Sequence, residues 1–307
     1  MILRIFIIWI LLVTNNHISH GSVVPNIVHF VHLNGGEIPL YVYLNLLSAI
    51  HNIKPIKTYF HYIIEPEGWF WIRLKNFNNL DLIKHDDKSI NIYGHYPKSN
   101  DWAHKSDIIR LDMLKEYGGI YIDTDVLILK SFDNFLDYEF TMGDWRKPPL
   151  ELILCNAIVI SAPNSKFLQS WREGYINADF KCWDCQSTVY PTELARNGTY
   201  RTDGSDGLYV APAKAFYPID WLGPSSKFLF DETLGEKKFK SPFNNIYAQH
   251  LWNARHKGIL RKLTPSKVCK LQSLYGHMLR FALNGTDFYR MHCKSNKKII
   301  KKIQIEK

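Results

Sequence analysis

Two aspartates, Asp123 and Asp125, interrupt an apolar stretch that runs from residue 120 to residue 130. Residues i and i+2 of an extended strand point to the same side, with Cα atoms about 7 Å apart, so both carboxylates would face the same way. Two oxygen ligands at this spacing suit a hard divalent cation such as Mn²⁺ or Mg²⁺. Because carboxylates buried in a core strand need a compensating positive charge, the pattern favours a metal site over solvated aspartates at a strand end.

A predicted helix precedes this strand and brings further polar side chains to it. Ser106 is a suitable N-cap, and Asp107 suits the positive end of a helix. Asp107 and Arg110 are three residues apart, so they share one face of the helix. Gly118 and Gly119 can adopt the left-handed backbone that ends a helix. We therefore expect a helix over residues 106–117, a glycine stop, and a buried strand over residues 120–130.

The remaining sequence alternates strand-like and helix-like patterns. Strands are predicted at residues 24–31, 58–64, within 80–93, 152–161, 208–217 and 245–252. Helices are predicted at residues 39–53, 68–74, 163–176 and within 182–197, and a glycine-rich turn at 34–36. This alternation predicts an α/β domain with a mainly parallel sheet flanked by helices, in which the Asp-x-Asp strand is about the fourth. Ligands of such sheets bind at the carboxyl ends of the strands, where Asp125 would lie.

The composition defines the class of protein and the position of its charge. A chain of 307 residues with 46% hydrophobic residues can bury a large core, in one elaborated domain or in two smaller ones, and is not a disordered protein. The formal net charge is +9, but residues 255–307 alone carry 14 Lys and Arg against two acidic residues. This basic tail could contact an anionic membrane surface or stay solvated. The sequence has no helical array of base-reading residues, so nucleic-acid binding is not expected.

The first 21 residues have the pattern of a leader. A short apolar run at residues 5–13 follows Arg4, which is the length of a signal-peptide core and shorter than the ~20 residues that span a bilayer. We predict cleavage after Gly21, with an uncleaved short anchor as the alternative. The chain is therefore expected in the secretory pathway, in the Golgi lumen or membrane, or secreted if the leader is removed.

Sequons and cysteines agree with this compartment. Asn197-Gly-Thr and Asn284-Gly-Thr are acceptors for N-glycosylation in polar, turn-like settings. In an oxidising compartment disulfides are the default, and we predict a bridge between Cys269 and Cys293. The Cys-Trp-Asp-Cys motif at residues 182–185 has the spacing of a redox or zinc site, although no second pair completes four zinc ligands. One of the five cysteines must stay unpaired or pair with another chain.

The central motif resembles that of a known family. The sugar-nucleotide motif of glycosyltransferase family 32 is matched by Asp107-x-x-Arg110 and Gly118-Gly119-x-Tyr121-x-Asp123-x-Asp125. The similarity extends upstream to a first strand at residues 25–32 and downstream to Asn156. Residues 215–221 and 250–253 are similar to the α1,4-galactosyltransferase and α1,4-N-acetylglucosaminyltransferase branch. Residues 186–194 depart from that branch, which has a Gly-Pro element there.

The resemblance implies a GT-A fold, a nucleotide-sugar donor, Mn²⁺ dependence and transfer with retention of anomeric configuration. On the matching positions, Asp107 and Arg110 would hydrogen-bond the donor sugar. Asp123 would contact the ribose or the sugar, and Asp125 would bind the metal. His250 matches a late histidine that supplies a further metal ligand in many GT-A enzymes. The catalytic domain would span residues 22–262, between the leader at 1–21 and a basic helical extension at 263–307.

Four further assignments have two readings each. Asn156 could face the anomeric carbon and join the two aspartates as a catalytic residue, or it could satisfy a strand neighbour. Trp102 could stack on the uracil of the donor or belong to the core. His250 could bind the metal as a neutral imidazole or simply be packed. Ser106, beside Asp107, is assigned both to the helix cap and to the donor-binding residues.

Other protein classes also use an Asp-x-Asp sequence. A phosphatase with a nucleophilic aspartate would need Thr or Val where this chain has Leu127, and a calcium loop would need Gly and Glu where it has Ile128 and Asn134. A retaining glycosidase needs a second carboxylate from another element. The phosphatase and a catalytically silent sugar-binding protein stay as alternatives. We predict an enzyme that moves a hexose or N-acetylhexosamine from a UDP-sugar, with GDP-mannose as the other candidate donor, to a glycan or glycolipid acceptor.

Overall fold

The computed structural model describes residues 22–146, 151–231, 233 and 243–293. The strands are β1 (Ile27–Val31), β2 (Asn34–Glu37), β3 (Lys57–Tyr62), β4 (Ile64–Glu67), β5 (Leu80–Lys84), β6 (Gly119–Ile122), β7 (Val126–Ile128), β8 (Phe140–Asp144), β9 (Leu154–Ser161), β10 (Tyr209–Ala211) and β11 (Ala248–His250). The helices are α1 (Leu40–Ile53), α2 (Trp69–Lys75), α3 (Trp102–Tyr117), α4 (Lys166–Glu173), α5 (Tyr190–Arg196), α6 (Ala213–Phe216), α7 (Gly223–Phe230), α8 (Asn253–Leu260), α9 (Pro265–Val268), α10 (Leu274–Leu283) and α11 (Asp287–His292).

Seven strands form the central sheet, in the order β10-β8-β9-β6-β1-β3-β5. Strand β9 runs antiparallel to both of its neighbours, and the other pairs in the sheet are parallel. In chain order β6 is the fourth strand of this sheet, and Asp123 follows it directly at its carboxyl end. The prediction of an α/β fold with a mainly parallel sheet flanked by helices is therefore confirmed.

Two apolar clusters cover the two faces of the sheet, and the strands alternate between them. Val28 and Phe30 of β1, with Ile120 and Ile122 of β6, belong to the cluster that contains α1 and α10. Tyr121 points the other way, into the cluster that contains α3 and α4. This alternation is the period of two that an extended chain imposes. As a result, the helix with Asp107 and the strand before Asp123 meet on one face of the sheet.

Helix α3 begins one turn earlier than predicted. Its N-cap is Asp101, whose side chain accepts a hydrogen bond from the backbone N–H of His104 at 3.4 Å. The Asp101 carboxylate also binds the His104 ring at 2.6 Å, which adds to its advantage as a cap. Ser106 is therefore an interior helix residue, and its assignment as the N-cap is wrong.

The predicted strand over residues 120–130 is broken at the two aspartates. The backbone N–H of Asp123 still bonds to Ala157 of β9 at 2.8 Å, but the N–H of Val126 turns back to the Asp123 carbonyl at 3.1 Å. Strand β7 then leaves the central sheet and pairs antiparallel with β11, with Val126 opposite His250. The apolar residues after the turn are buried by this second pairing, so the expectation of one continuous strand is wrong.

Three smaller differences have local causes. The glycine-rich segment at residues 34–36 forms part of β2, which pairs with β4, rather than a free turn. The predicted strand at residues 208–217 is the short β10 followed by α6, because Pro212 caps that helix. Helix α4 begins at Lys166, where the Ser165 side chain accepts a hydrogen bond from the N–H of Leu168. In addition to these three differences, strands β4 and β8 were not predicted.

The C-terminal helices pack against the main domain. Leu274, Met278 and Leu279 of α10 lie in the same apolar cluster as α1, so residues up to 283 share its core. The predicted bridge between Cys269 and Cys293 is present. Within the described ranges, none of the helices combines the length and apolar character that crossing a membrane requires. The leader at residues 1–21 and the basic segment after residue 293 lie outside the described residues.

Candidate active site

Asp123, Asp125 and His250 converge where the chain turns out of the central sheet. One ligand atom from each of the three side chains lies within 4.8 Å of the others. His250 Nε2 is 3.2 Å from Asp125 Oδ1. The pairing of β7 with β11 brings the histidine opposite this turn from more than 120 residues away in sequence. Two carboxylates and an imidazole form a donor set that suits Mn²⁺ or Mg²⁺, with the nitrogen ligand favouring Mn²⁺.

Neighbouring backbone and amide groups hold Asp125 in place. Its Oδ2 accepts a hydrogen bond from the backbone N–H of Asn253 at 2.7 Å. Its carbonyl accepts one from the N–H of Leu251 at 2.8 Å. From α1, the Asn45 side chain donates to the Thr124 carbonyl at 3.0 Å. The turn is therefore fixed to both β11 and α1, so the position of the carboxylate does not depend on a ligand.

Two residues hold Asp123 from the face of the sheet that α3 covers. Tyr121 donates its hydroxyl hydrogen bond to Asp123 Oδ1 at 2.5 Å. Arg110 Nη2 lies 3.4 Å from the same oxygen, and its guanidinium carbon is 4.2 Å from the centroid of the Tyr121 ring. Tyr121 thus contacts both the Arg110 guanidinium and the Asp123 carboxylate, because Asp123 follows it by two residues at the end of β6.

Asp107 and Arg110, which are buried, form a hydrogen-bonded group with the half-buried Asn156. Arg110 Nη2 lies 3.2 Å from Asp107 Oδ1, which confirms that the two residues share a helix face. Asn156 donates a hydrogen bond from its side-chain Nδ2 to Asp107 Oδ1 at 3.0 Å. The backbone carbonyl of Asn156 accepts a hydrogen bond from Arg110 Nη1 at 2.7 Å. Asn156 therefore satisfies neighbouring groups in this structure. The predicted contacts of these three residues with the donor sugar stay predictions.

The charges of the site shift the pKa values of its groups. Burial raises the pKa of Asp123; the Arg110 guanidinium partly offsets this, and the Asp125 carboxylate adds to it. Burial also opposes ionisation of Asp125, but the charge and hydrogen bond of His250 outweigh it and lower the pKa of Asp125. In the same way, Asp125 overcomes the effect of burial on His250 and holds the pKa of that ring well above its usual value.

His250 and Asp107 show what these shifts mean for ligand binding. A histidine binds a metal as the neutral imidazole, so the proton that His250 holds beside Asp125 has to leave when a cation binds. Burial raises the pKa of Asp107 to about 6, against the opposing effect of Arg110. The site therefore holds one firmly ionised carboxylate, Asp125, next to two carboxylates that resist ionisation.

A cavity of about 800 Å³ opens beside the turn. Thr124 lines it on one side, and the segment from His32 to Val42 supplies much of the rest. Asn253 and Lys257 of α8, and Arg261 directly after that helix, also line it and are spaced by four residues. Glu37 is the one acidic residue of this lining, so two cations face the cavity against one carboxylate.

None of the five predicted donor-binding residues is among the residues that line this cavity; they are Trp102, Ser106, Asp107, Arg110 and Asp123. The Trp102 ring packs against the apolar cluster of α3, with Lys105 Nζ 5.1 Å from its centroid. Ser106 Oγ lies 3.5 Å from Arg110 Nη2, where it can accept only a weak hydrogen bond. Trp102 thus lies partly buried against the core and Ser106 lies beside Arg110, and the predicted contacts of both with the donor stay predictions.

Aromatic side chains cover His250 on its outer side. The Trp252 ring centroid is 4.0 Å from that of His250, and Tyr217 stands edge-on at 6.2 Å. Trp145 lies next to Trp252 at 6.0 Å. These rings restrict solvent around the histidine. Tyr217 and Trp252 belong to the segments at residues 215–221 and 250–253 that carried the resemblance, and Trp145 directly follows β8.

Sequence reasoning missed four residues of this site: Tyr121, Asn253, Lys257 and Arg261. Tyr121 was part of the quoted motif, and its i, i+2 relation to Asp123 was the available signal. The spacing of Asn253, Lys257 and Arg261 by four residues was visible too, but it indicates a shared helix face only once a helix is assigned there. Their approach to Asp125 depends on the pairing of β7 with β11.

Comparison with known proteins agrees with these observations. Residues 45–141 match a family described as a glycosyltransferase sugar-binding region containing a DXD motif. Residues 190–278 match an alpha 1,4-glycosyltransferase conserved region. The chain is 35% identical over 274 residues to glucan organizing enzyme 1 of Cryptococcus neoformans var. grubii, covering 85% of this chain and 71% of that protein.

More distant similarities extend to animal and solved proteins. The lactosylceramide 4-alpha-galactosyltransferase of Mus musculus is 26% identical over 160 residues, which is 50% of this chain and 42% of that protein. The solved galactosyltransferase LgtC, in complex with donor and acceptor sugar analogs, has a TM-score of 0.42 at 13% identity, covering 87% of this chain and 99% of that chain. The bifunctional glycosyltransferase WbbM has a TM-score of 0.43 at 10% identity, covering 92% and 52%.

A mainly parallel sheet with an Asp-x-Asp turn at the carboxyl end of its central strand defines a glycosyltransferase of the GT-A type. The extent of the match to the fungal relative, together with both family matches, identifies the particular group. The chain belongs to glycosyltransferase family 32.

Proposed function

We propose that this glycosyltransferase uses a UDP-sugar donor and a divalent cation, Mn²⁺ or Mg²⁺, and transfers a hexose or an N-acetylhexosamine to a glycan or glycolipid acceptor. The observation that carries the proposal is the convergence of Asp123, Asp125 and His250 beside a cavity with a cationic wall. The names of two relatives support the substrate classes: one is a lactosylceramide 4-alpha-galactosyltransferase and the other a glucan organizing enzyme.

The cavity beside Asp125 is the proposed donor site. When the bond between a sugar and a diphosphate breaks, negative charge develops on the departing nucleotide. Lys257 and Arg261 lie one helical turn apart on the cavity wall, where their side chains can meet that charge. Thr124 joins this wall to the turn between the two aspartates. The diphosphate would then lie between the Asp-x-Asp turn and the side chains of Lys257 and Arg261.

Asp123, Asp125 and His250 are the proposed metal ligands. A bound divalent cation supplies positive charge at the diphosphate and so stabilises the leaving group. Tyr121 orients Asp123, and the backbone N–H of Asn253 orients Asp125, so both carboxylates are positioned before a donor arrives. The proton on His250 leaves when the ring becomes a ligand.

Asp107 and Arg110 are the proposed contacts of the donor sugar, as the family resemblance implies. In addition, Arg110 contacts both Asp107 and Asp123, so its guanidinium links the proposed sugar site to the proposed metal site. Asn156 holds Asp107 and receives a hydrogen bond from Arg110, which suits a positioning role. Retention of the anomeric configuration is part of the proposal and is supported by the resemblance alone.

We place the enzyme in the secretory pathway. The pattern of residues 1–21 supports this compartment, as do disulfides between Cys182 and Cys185 and between Cys269 and Cys293. Asn197 of the first sequon is exposed at the end of α5, where a glycan would meet no packed surface. Cell fractionation of the full chain, with and without glycosidase treatment, tests this placement.

The test of the function is donor turnover. Purified secreted protein is incubated with UDP-galactose, UDP-N-acetylglucosamine, UDP-glucose or GDP-mannose, with Mn²⁺ or with a chelator, and nucleotide release is measured. We expect release from one UDP-sugar in Mn²⁺ and loss of it in chelator. Asp125→Asn should lower turnover by at least about 100-fold, because the variant loses a charged ligand.

Asp137→Asn is the matched control, since Asp137 is an exposed aspartate of the same region. It should keep wild-type turnover. A folded Asp125→Asn protein with near-normal activity would overturn the assignment of the site. Metal-dependent UDP binding without any turnover, for all donors and acceptors offered, would identify a silent sugar-binding protein instead.

A further inference from the structure

Two surface loops expose aromatic side chains next to the N-terminal end of α3. The first loop, residues 86–101, carries Tyr93 and Tyr96, which are 53% and 61% exposed. The second loop, residues 176–189, carries Trp183, which is 72% exposed. Tyr and Trp offer a large, rigid contact surface with a polar tip, which makes them typical binding residues when they are left uncovered. We call these three side chains the aromatic loop residues.

The loop that presents Trp183 is braced on both sides of that residue. A disulfide joins Cys182 to Cys185 directly around it. The Cys182 carbonyl accepts a hydrogen bond from Nε2 of the buried His104 at 3.1 Å, and Nδ1 of the same ring binds the Asp101 cap at 2.6 Å. The Trp183 and His104 rings stand edge to face with their centroids 6.1 Å apart. A tryptophan held this way loses little conformational entropy when it binds a ligand.

The loop that presents Tyr93 holds it in an unfavourable backbone conformation. Ile92 and His95 exchange two backbone hydrogen bonds, of 3.2 and 3.0 Å, across a two-residue turn. Both central residues have positive φ, 51° for Tyr93 and 80° for Gly94, as in a type I′ turn. Gly, Asn and Asp favour such positions, whereas a bulky residue there is strained. Strain of this kind is concentrated at ligand-binding sites.

The two loops are tied to each other and to the helix of the candidate active site. His95 donates from Nε2 to the Ile176 carbonyl at 2.7 Å, which joins the first loop to the second. His104 joins the second loop to the first turn of α3. Asp107 follows His104 by one helical turn, and Arg110 by two. The aromatic loop residues are therefore attached to the helix that carries the proposed sugar contacts.

The charge of these loops indicates the kind of ligand they suit. Together they contain five Asp and three Lys, a formal net of −2, whereas the whole chain carries +9. A surface that binds anionic lipid or an acidic glycan would need an excess of Lys and Arg. Aromatic faces beside asparagine, serine and threonine side chains fit an uncharged ligand with one apolar face and many hydroxyl groups. A neutral saccharide has that character.

We infer that Tyr93, Tyr96 and Trp183 form a subsite for a neutral acceptor saccharide, with sugar rings stacked on the aromatic faces. The inference rests on the transferase function proposed above and extends it to acceptor choice. The second loop runs into residues 186–194, where the chain departs from the pattern of its branch.

The test measures donor hydrolysis and saccharide binding separately in the full secreted protein. Saturation-transfer NMR follows binding of neutral di- to tetrasaccharides of glucose, galactose and N-acetylglucosamine in the presence of UDP and Mn²⁺. Trp183→Ala and Tyr96→Ala should weaken binding of the recognised saccharide by roughly tenfold, while hydrolysis of the donor stays within about twofold. The same variants should raise KM for a saccharide acceptor more than they lower kcat.

Tyr93→Gly separates loss of the subsite from misfolding. Glycine adopts positive φ without strain, so the turn should be kept and Tm should not fall, while saccharide binding weakens. Tyr117→Ala, an exposed tyrosine at the far end of α3, is the control and should bind saccharides as the wild type does.

Three outcomes would overturn the subsite. The first is that no saccharide of the panel binds, and the second is that all three variants bind as tightly as the wild type. The third is that the variants lose binding to vesicles of phosphatidylcholine and phosphatidylserine while saccharide binding is unchanged, which would make the loops a membrane contact. If the wild-type protein hydrolyses no donor but the variants lose saccharide binding, the proposed transferase function fails and the subsite stands.

Discussion

At the scale of single residues, Arg110 links two carboxylates, those of Asp107 and Asp123. It lies 3.2 Å from Asp107 and 3.4 Å from Asp123, above the ring of Tyr121. Burial raises the pKa of both acids, and the Arg110 guanidinium is the largest of the charges that oppose this effect; His250 adds to the opposition at Asp123. Removing a partner from a buried ion pair leaves uncompensated charge, which is more costly than losing a surface pair.

We therefore expect Arg110→Ala to lower the free energy of unfolding by about 3 kcal/mol and to abolish donor turnover. Urea denaturation followed by circular dichroism gives the first value, and nucleotide release gives the second. Arg201→Ala removes an exposed arginine and should change stability by less than about 0.5 kcal/mol. An Arg110→Ala protein as stable as the control would show that the two acids are held by other groups.

Much of the site at this scale could be predicted from the sequence. The spacing of Asp123 and Asp125 indicated a shared direction, the separation of Asp107 and Arg110 indicated a shared helix face, and the resemblance selected His250. The sequence could not show that Arg110 is buried against Asp123, because that contact needs the face of α3 to meet the face of β6. Nor could it show which reading of Asn156 applies.

At the scale of elements, three histidines form a hydrogen-bonded line across neighbouring strands. His29 Nε2 donates to the Gly118 carbonyl at 3.0 Å, which leaves its Nδ1 to accept from His61 Nε2 at 3.2 Å. His61 Nδ1 in turn accepts from His85 Nε2 at 3.0 Å. All three rings are then neutral. A proton on His29 or His61 would set two donors against each other.

This line should make the protein less stable as pH falls. Burial lowers the pKa of His29 to about 4, and it lowers the pKa of His61 and His85 as well. The unfolded chain binds these protons near pH 6.5 and the folded chain does not, so unfolding is favoured as pH falls below 6.5. His29 alone should reduce stability by about 3 kcal/mol between pH 7 and pH 4.

The measurement is the free energy of unfolding between pH 7 and pH 4 for the wild type and for His29→Gln. The slope with pH is the readout, because the substitution itself can lower stability at every pH. His29→Gln should have a clearly smaller slope, whereas His292→Gln, a substitution in α11, should keep the wild-type slope. If all three proteins had equal slopes, the buried line of histidines would not be the cause of the loss of stability at low pH.

The positions of most elements followed from apolar periodicity, and the exceptions have a common cause. Helix α1 and strands β1, β3, β5 and β9 lie where they were predicted, because each has a clear pattern of its own. The break at residues 123–125 could not be predicted, because β6 and β7 are both apolar and read as one strand. In the structure, β6 pairs with β1 and β7 pairs with β11. Local patterns do not reveal which strand an apolar run will pair with.

At the scale of the whole molecule, two disulfides close loops of very different length. Cys269 and Cys293 are 24 residues apart and link the ends of the segment that packs on α1, whereas Cys182 and Cys185 are three apart. A longer closed loop restricts the unfolded chain more. The C-terminal bridge should therefore matter more for stability, while the short one acts locally on the loop of Trp183.

Replacing Cys269 and Cys293 together by serine should lower the free energy of unfolding by about 3 kcal/mol. Replacing Cys182 and Cys185 should have a clearly smaller effect and is the matched control. Both values come from urea denaturation without reductant. The assignment of the C-terminal helices to the core of the domain would be contradicted if the two double variants were equally stable.

The sequence alone could not show that the site is assembled from distant parts of the chain. Residues 107–125 supply the acids and Arg110, and residues 250–261 supply His250 and the cationic wall. The pairing of β7 with β11, and the hydrogen bonds of Asp125 that continue it, bring these segments together. Family resemblance named His250 in advance, but it gave no indication of Lys257 or Arg261.

The central claim is that Asp123, Asp125 and His250 hold a cation on which donor binding depends. The most direct test is calorimetry of UDP binding to the wild type and to His250→Gln, each with Mn²⁺ and with chelator. We predict that Mn²⁺ tightens UDP binding to the wild type at least about tenfold, and that His250→Gln loses most of this gain. UDP affinity that is the same with Mn²⁺ and with chelator in the wild-type protein would contradict the account.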